Sequence, residues 1–388
     1  MKTIEKILWG IGGIAFVVGL VGLFQRLSTG HTQAGYGTYV PWGLWVGLYA
    51  LLIGMSAGSF LLASLTLGFG VKRLEPVVRP ALLIALATFI GGMLAVWLDL
   101  GHPLRAWRLI LATGFTSVMG WMAWFYGAYF ILLVVMIWFV VWKKQPLAGF
   151  IRPLSIVGAV LAVVFGGAEG ALFGVVGARD FWHSGLTPII FIVEGVLSGT
   201  ALVVFFSGIL GLLDEDRLRD LGRIMLGLLL FSALLEWAEI SIGYYASIPA
   251  YALSLNLVLS GPFWWVFWIV HLAMGVVLPL LLLILVRKQG WSLLLSAGLI
   301  AFTALSTKLN LVITAQAVPE FEELRMAYTG PGLNFNYFPT SMEWLLSLWI
   351  IGLVALVALA GYRFLMPGSN SQDKPTAVKS EQEATTSS

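Results

Sequence analysis

Glu169, Glu194, Glu236, Glu239, His271 and Lys308 stand in stretches otherwise built of Leu, Val, Ile, Phe, Gly and Trp. A charge inside a hydrocarbon layer costs at least about 2.5–3.5 kcal/mol on insertion scales, so each is a functional candidate by default. Carboxyl, imidazole and ammonium groups held in a dry setting can take up and pass on protons. Glu236 and Glu239 are three apart and share a helix face. With Glu194, His271 and Lys308 they form a candidate proton relay. A structural ion pair between Glu239 and Lys308 explains the same residues without chemistry, and the sequence leaves both readings open. Glu169, in Gly166-Gly167-Ala168-Glu169-Gly170, has small neighbours that would admit a ring or water. It either shuttles protons or, protonated, bonds a neighbouring helix.

The elements that must position these groups follow from composition. Only 11% of the 388 residues are charged and 59% are hydrophobic, far from the roughly 25% charged of a soluble domain. The chain is expected to be an all-α polytopic membrane protein. A net charge of +3 needs no nucleic-acid partner, because the basic residues concentrate in short loops as membrane topology requires. Cysteine is absent, so no iron–sulfur cluster, disulfide or thiolate zinc site is expected in this chain. Of four histidines only His271 falls within a span; His31, His102 and His183 fall in loops or at their edges. A two-histidine haem site and a metal site are therefore not expected.

Apolar stretches long enough to cross a bilayer run at 7–24, 42–69, 79–99, 117–142, 153–177, 187–212, 223–246, 262–286, 291–313 and 344–366. That predicts ten transmembrane helices. Lys2 and Lys6 before the first run suggest a signal peptide, but the run exceeds the usual 7–15 residues, and a retained span is expected. Sixteen of the Lys and Arg residues fall on the side of both termini and six on the other, so both termini are expected to be cytoplasmic. At 1.5 Å per residue, Glu169 lies roughly 25 Å above Arg152, and Glu239 roughly 24 Å above Arg223. The ionisable groups then share the outer half of the layer.

A weak internal repeat aligns Gly54-x-x-x-Gly58 with Gly195-x-x-x-Gly199, Arg79 with Arg223 and Ser117 with Ser260. It predicts two parallel-repeat four-helix bundles, spans 2–5 and 6–9, with close helix packing as the direct role of the glycines. The chain divides into a first span with its outer loop (1–38), a first bundle (39–178) and a second bundle (179–315). An outer loop and tenth span (316–366) follow, then a cytoplasmic tail expected to be disordered (367–388). The loop from Ala315 to Ser341, with Glu320, Glu322, Glu323 and Arg325, is a plausible docking surface or an ordered cap. Trp42, Trp45, Trp264, Trp265 and Trp268 cluster at outer span ends, mostly as an interfacial belt.

The most specific local signal is Leu98-Asp99-Leu100-Gly101-His102-Pro103-Leu104-Arg105-Ala106-Trp107 at the end of span 3. Pro41-Trp42-Gly43-Leu44-Trp45, Ala57-Gly58-Ser59-Phe60, Gly261-Pro262-Phe263-Trp264 and Pro279-Leu280 accompany it in order. In this ordered set, over roughly residues 35–365, the chain resembles the NrfD-like family, quinone-binding membrane subunits of polysulfide reductase-type complexes. The tenth span, preceded by Tyr337-Phe338-Pro339 and Glu343, resembles its longer, hydrogenase-type branch. One departure is His102, where the family motif carries a second basic residue. A histidine at this position either alters proton handling or is neutral drift.

The resemblance implies a haem-free subunit in a prokaryotic cytoplasmic membrane that exchanges electrons between quinone, or menaquinone, and a ferredoxin-like iron–sulfur subunit on the outer face. A molybdopterin or hydrogenase catalytic subunit often lies beyond. Such a chain is a subunit of a menaquinol or quinone oxidoreductase and not a stand-alone enzyme. Asp99, His102 and Glu169 would then act on the protons of the carrier, and Trp42, Asp99, His102, Arg105 and Glu169 would line its site, with Arg105 holding the Asp99 charge. The bland alternative is that Asp99 caps a helix end or pairs with Arg105. The rival class is a secondary transporter or ion-translocating protein, against which the sequence shows no pair of broken helices at mid-depth.

Overall fold

The computed structural model describes residues 3–112, 114, 116–145, 149–246, 248–286, 289–319, 323, 330, 332–333 and 335–366. Ten helices are long and apolar enough to cross a membrane. They are Thr3–Thr29, Leu44–Leu67, Lys72–Asp99, Val118–Trp142, Ile151–Gly174, Thr187–Ile209, Glu215–Ala246, Val266–Leu285, Gly290–Gln316 and Ser341–Leu365, here spans 1 to 10. The described residues contain no strand. The ten expected spans are present. Span 7 begins earlier than its apolar stretch, at Glu215. Its polar first turns carry ion pairs from Arg219 to Glu215 (3.5 Å) and Asp216 (3.3 Å), and from Arg223 to Asp220 (2.9 Å), which support exposed helix. The expected disordered tail, 367–388, lies outside the described residues, as do Glu320, Glu322 and Arg325 of the long loop.

Span 2 is the axis of the molecule, buried along nearly its whole length. It is apolar all round, as a helix with no lipid or water face must be. Spans 2, 3, 4 and 5 pack each on the next, and span 5 returns to span 2; spans 6, 7, 8 and 9 close a second ring in the same way. The rings meet where span 2 crosses span 6. There Gly54 and Gly58 face Gly195 and Gly199: a Cβ on Gly199 would lie 2.6 Å from both Met55 O and Ser59 N. Apolar side chains gain nothing by leaving lipid, so such contacts depend on small residues that let backbones approach. Span 1 runs antiparallel to span 10, with Gly19 and Gly22 against Trp349 and Leu346 and Gly352 against Phe16. Glu5 and Arg363, 3.9 Å apart, bring the two chain ends to one end of the bundle.

Span 4 ends in six residues of π-helix, Ile137–Trp142, and the second ring carries three further irregularities. Span 8 opens with twelve residues of π-helix, Val266–Val277. Pro279, just beyond, has no N–H to offer the preceding turn. Span 9 is irregular at Ala304, between Gly290–Thr303 and Leu305–Gln316. At that point Gly275 of span 8 presses on Thr303, and hydroxyls of Ser306 and Thr307 donate to the carbonyls of Thr303 (2.6 Å) and Ala304 (3.0 Å). Side-chain hydroxyls of this kind compensate irregular helix inside a membrane. Between spans 7 and 8 lies a short helix, Pro249–Leu259. Ala304 keeps helical dihedrals and its N–H still bonds the Ile300 carbonyl at 3.2 Å, so the ninth span stays one helix with a local irregularity.

Candidate functional site

Every span carrying a singled-out ionisable group holds it toward the same end of the bundle. Asp99, Glu169, Glu239 and Lys308 are late in spans 3, 5, 7 and 9; Glu194 and His271 are early in spans 6 and 8. Alternation of direction therefore gathers them. The second ring brings five together. Lys308 Nζ donates to Glu194 Oε2 at 2.6 Å, Thr307 Oγ1 donates to the same oxygen at 3.2 Å, and the Lys308 ammonium sits 3.5 Å from the centre of the Phe191 ring. His271, on the π-helical turn, places Nε2 2.8 Å from both oxygens of Glu236. Glu239 accepts from Ser184 Oγ at 2.9 Å.

Two cavities join these groups, of about 100 Å³ and about 40 Å³. Glu194, Glu236, Thr307 and Lys308 line both. Glu239 faces only the larger and His271 only the smaller. The expected ion pair of Lys308 with Glu239 is corrected: similar depth does not fix azimuth, and Glu194 is the carboxylate that span 6 turns toward Lys308.

Glu169 is fully buried in the first ring, and its Oε1 has no hydrogen-bond partner among the described residues. Lys308 and the phenols of Tyr49 and Tyr126 lie within electrostatic range of it. Those phenols bond each other at 2.6 Å. Of the neighbouring glycines Gly166 leaves room, a Cβ there meeting only Ile192 at 3.9 Å, while Gly170 does not. A Cβ on Gly170 would meet Pro188 Cα at 2.6 Å and Thr187 O at 2.7 Å, so span 6 itself fills the space. One helical turn on, Phe173 meets the edge of Trp42, 5.7 Å between centres. Trp42 stacks on Trp182, and Gln316 holds both its backbone N–H and its carbonyl.

At the end of span 3 the motif divides. Asp99 turns inward, its Oδ1 buried beside the Tyr36 hydroxyl and Arg26. His102 and Arg105 are exposed on the loop. The cation beside Asp99 is thus Arg26 from span 1, not Arg105. Arg26 Nε and Nη2 donate to the carbonyls of Leu98 (2.7 Å) and Leu100 (2.8 Å). Those carbonyls belong to a helix C-terminus, where backbone acceptors lack partners and cations are favoured.

His31 and Tyr36 complete the corner, with His31 Nε2 and the Tyr36 hydroxyl both buried. Burial first, and the Arg26 charge second, hold the His31 imidazole below its ordinary value. Burial, then the Asp99 and Glu343 charges, push the Tyr36 phenol well above its own. Both shifts disfavour a further buried charge. Glu343 anchors the corner: its carboxylate accepts from Gly35 N (2.8 Å), Tyr337 Oη (2.6 Å) and Thr340 N (2.9 Å), and Trp45 Nε1 donates to its carbonyl (3.1 Å).

The structure therefore brings together Glu194, Glu236, Glu239, His271 and Lys308, with Glu169 and Trp42 near by, and sets Asp99 in a separate polar corner. Arg26, Tyr36, His31, Tyr49, Tyr126, Ser184 and Thr307 were not singled out as partners in the sequence. Only Arg26 carried a signal, as a cation at a span end. No group of three or more His, Asp or Glu residues placed to hold a metal occurs among the described residues.

Comparison with known proteins agrees with the motifs. The family described as polysulphide reductase, NrfD, matches residues 32–320. A selenate reductase subunit of Mesobacillus selenatarsenatis is 32% identical over 91% of this chain and 92% of its own length. The Hdr-like menaquinol oxidoreductase integral membrane subunit of Archaeoglobus fulgidus is 28% identical over 85% of each chain. The menaquinone reductase integral membrane subunit of Nitratidesulfovibrio vulgaris is 22% identical over 91% of this chain and 89% of its own. The chain belongs to the NrfD polysulphide reductase family and is a multi-pass membrane protein.

Proposed function

We propose that this chain is the quinone-reacting membrane subunit of a respiratory oxidoreductase. It exchanges electrons with an iron–sulfur subunit docked at the Asp99 end and protons with the water on that side. Relatives named for menaquinol and menaquinone chemistry support the carrier class. Absence of cysteine supports an external iron–sulfur partner, since this chain has no thiolates to ligate a cluster. The exposed His102 and Arg105 suit a docking face on the surrounding loop, and the basic-residue bias supports a non-cytoplasmic side for that face in a prokaryotic inner membrane.

Oxidation of a quinol releases two electrons and two protons. In this reading the electrons pass to the partner's cluster and each proton needs a base with a path to water. Glu169, buried with an open oxygen, is that base in the first ring, and Trp42 walls its approach. Asp99, beside Arg26 and Tyr36, serves the exit. Lys308, Glu194, Glu236, His271 and Glu239 form the relay in the second ring. The observation that carries the reading is the gathering of these ionisable groups at one end of the bundle, with Lys308 paired to Glu194 at 2.6 Å and within electrostatic range of Glu169.

The π-wound eighth span and the irregular ninth are also what a secondary transporter would use beside its substrate. Purification from native membranes separates the readings. A cluster-bearing subunit and extractable quinone travelling with this chain are the expected result. Ion or solute transport by the chain alone in liposomes, with neither companion, would replace it by the transporter.

A further inference from the structure

The larger cavity of the second ring is walled by aromatic rings as well as by relay groups. Phe181, Phe191, Tyr251 and Phe267 wall it, and Glu194, Glu236, Glu239, Thr307, Lys308 and Asn310 are among its polar groups. A water-filled relay needs polar partners along its length, two to four for each ordered water. A pocket with broad apolar and aromatic walls and a few convergent polar groups is instead the usual form of a small-molecule site. The adjoining cavity is smaller, about 40 Å³, and has room for water only.

All three irregularities of the second ring touch this pair of cavities. The π-helix supplies Phe267 and His271, the segment after the Ala304 irregularity supplies Thr307 and Lys308, and the short Pro249–Leu259 helix roofs the larger cavity with Tyr251, Leu255 and Val258. Irregular backbone at membrane depth is tolerated where it lines a cavity, and π-turns recur at functional sites. The roof is fastened: Tyr251 Oη donates to the Glu239 carbonyl at 3.1 Å.

We propose that this second-ring cavity is a ring-binding site of its own for a quinone-class carrier, distinct from the approach to Glu169. The flat headgroup lies between the aromatic walls. Its carbonyl oxygens accept from Lys308, which has two N–H donors beyond the one given to Glu194, and from the Asn310 amide. In the quinol form a hydroxyl donates to Glu239. The headgroup occupies the cavity of about 100 Å³, with the tail leaving between spans. The inference rests on the reading of this chain as quinone-reacting.

The test is photolabelling of the purified protein, with whatever subunits accompany it, in nanodiscs. The probe is a short-tailed naphthoquinone carrying a photoreactive azide, and labelled peptides are identified by mass spectrometry. Label in the segments holding Tyr251–Val258 or Phe267 is expected, competed away by unlabelled menaquinone. Leu255→Trp, which fills the cavity, should abolish that label while label near Glu169 persists; Val258→Phe does the same should the first variant not assemble. Label confined to the first ring in the unmodified protein would overturn the second site and leave the quinone reading standing. Competable label in neither ring would overturn both.

Discussion

Replacing Glu194 by Gln should leave Lys308 as an uncompensated cation inside the second ring. Lys308 is 4% exposed and its ammonium lies 2.6 Å from the Glu194 carboxylate. Breaking a buried pair by removing one partner costs about 3–5 kcal/mol. Two features reduce that here. The Phe191 ring 3.5 Å from the ammonium retains about 1–2 kcal/mol of cation–π attraction, and the neighbouring cavities admit water. We expect about 2 kcal/mol of destabilisation for Glu194→Gln and a similar loss for Lys308→Met. The double variant buries no charge and should lie within about 1 kcal/mol of the parent. The resulting coupling, about 3 kcal/mol, is read by a double-mutant cycle. Reversible SDS-induced unfolding of the full chain in mixed micelles, followed by tryptophan fluorescence, measures each corner. The parallel cycle with Glu239→Gln should show a small coupling, because Ser184 is that carboxylate's partner. Additive effects for Glu194 and Lys308 would refute the pairing and with it the relay.

Other expectations follow from single contacts. Arg26→Met removes two charged hydrogen bonds to Leu98 and Leu100 and should cost about 3–5 kcal/mol, whereas Arg105→Ala should stay within about 0.5 kcal/mol; the same unfolding assay compares them. Gly199→Leu should prevent assembly, because its Cβ meets backbone at 2.6 Å, while Gly127→Leu, with open space around it, should be tolerated; the monodisperse peak in detergent chromatography reports both. His31 gives a pH test. Its folded-state pKa lies below its unfolded value, so the unfolded chain takes up a proton first as pH falls through about 6.5. Stability should therefore decrease below that pH and level off below the folded value. His31→Asn should flatten this part of the profile, and an unchanged profile would count against burial of a neutral imidazole.

The ten spans were legible because hydropathy over some twenty residues is a one-dimensional signal. The shared depth of Glu169, Glu194, Glu239 and Lys308 was legible for the same reason, since rise along a helix is fixed. Azimuth was not. Each residue turns a helix by about 100°, so depth alone could not choose Glu194 over Glu239 as the partner of Lys308. Arg26 is 72 residues from the Leu98 carbonyl it binds, and nothing local to either residue announces the contact. The motif at Asp99 was visible, yet its loop sends Arg105 outward. The irregularity at Ala304 has no proline or glycine of its own; it arises where Gly275 of another span meets Thr303, a tertiary cause.

The most direct measurement is quinol oxidation by the intact complex in proteoliposomes, with electrons counted at the partner and protons at the Asp99 side. The account predicts turnover in the parent. It predicts a fall of about 100-fold or more in Glu169→Gln, with the partner's clusters still reducible by a soluble donor. Parental quinol turnover in Glu169→Gln would contradict it.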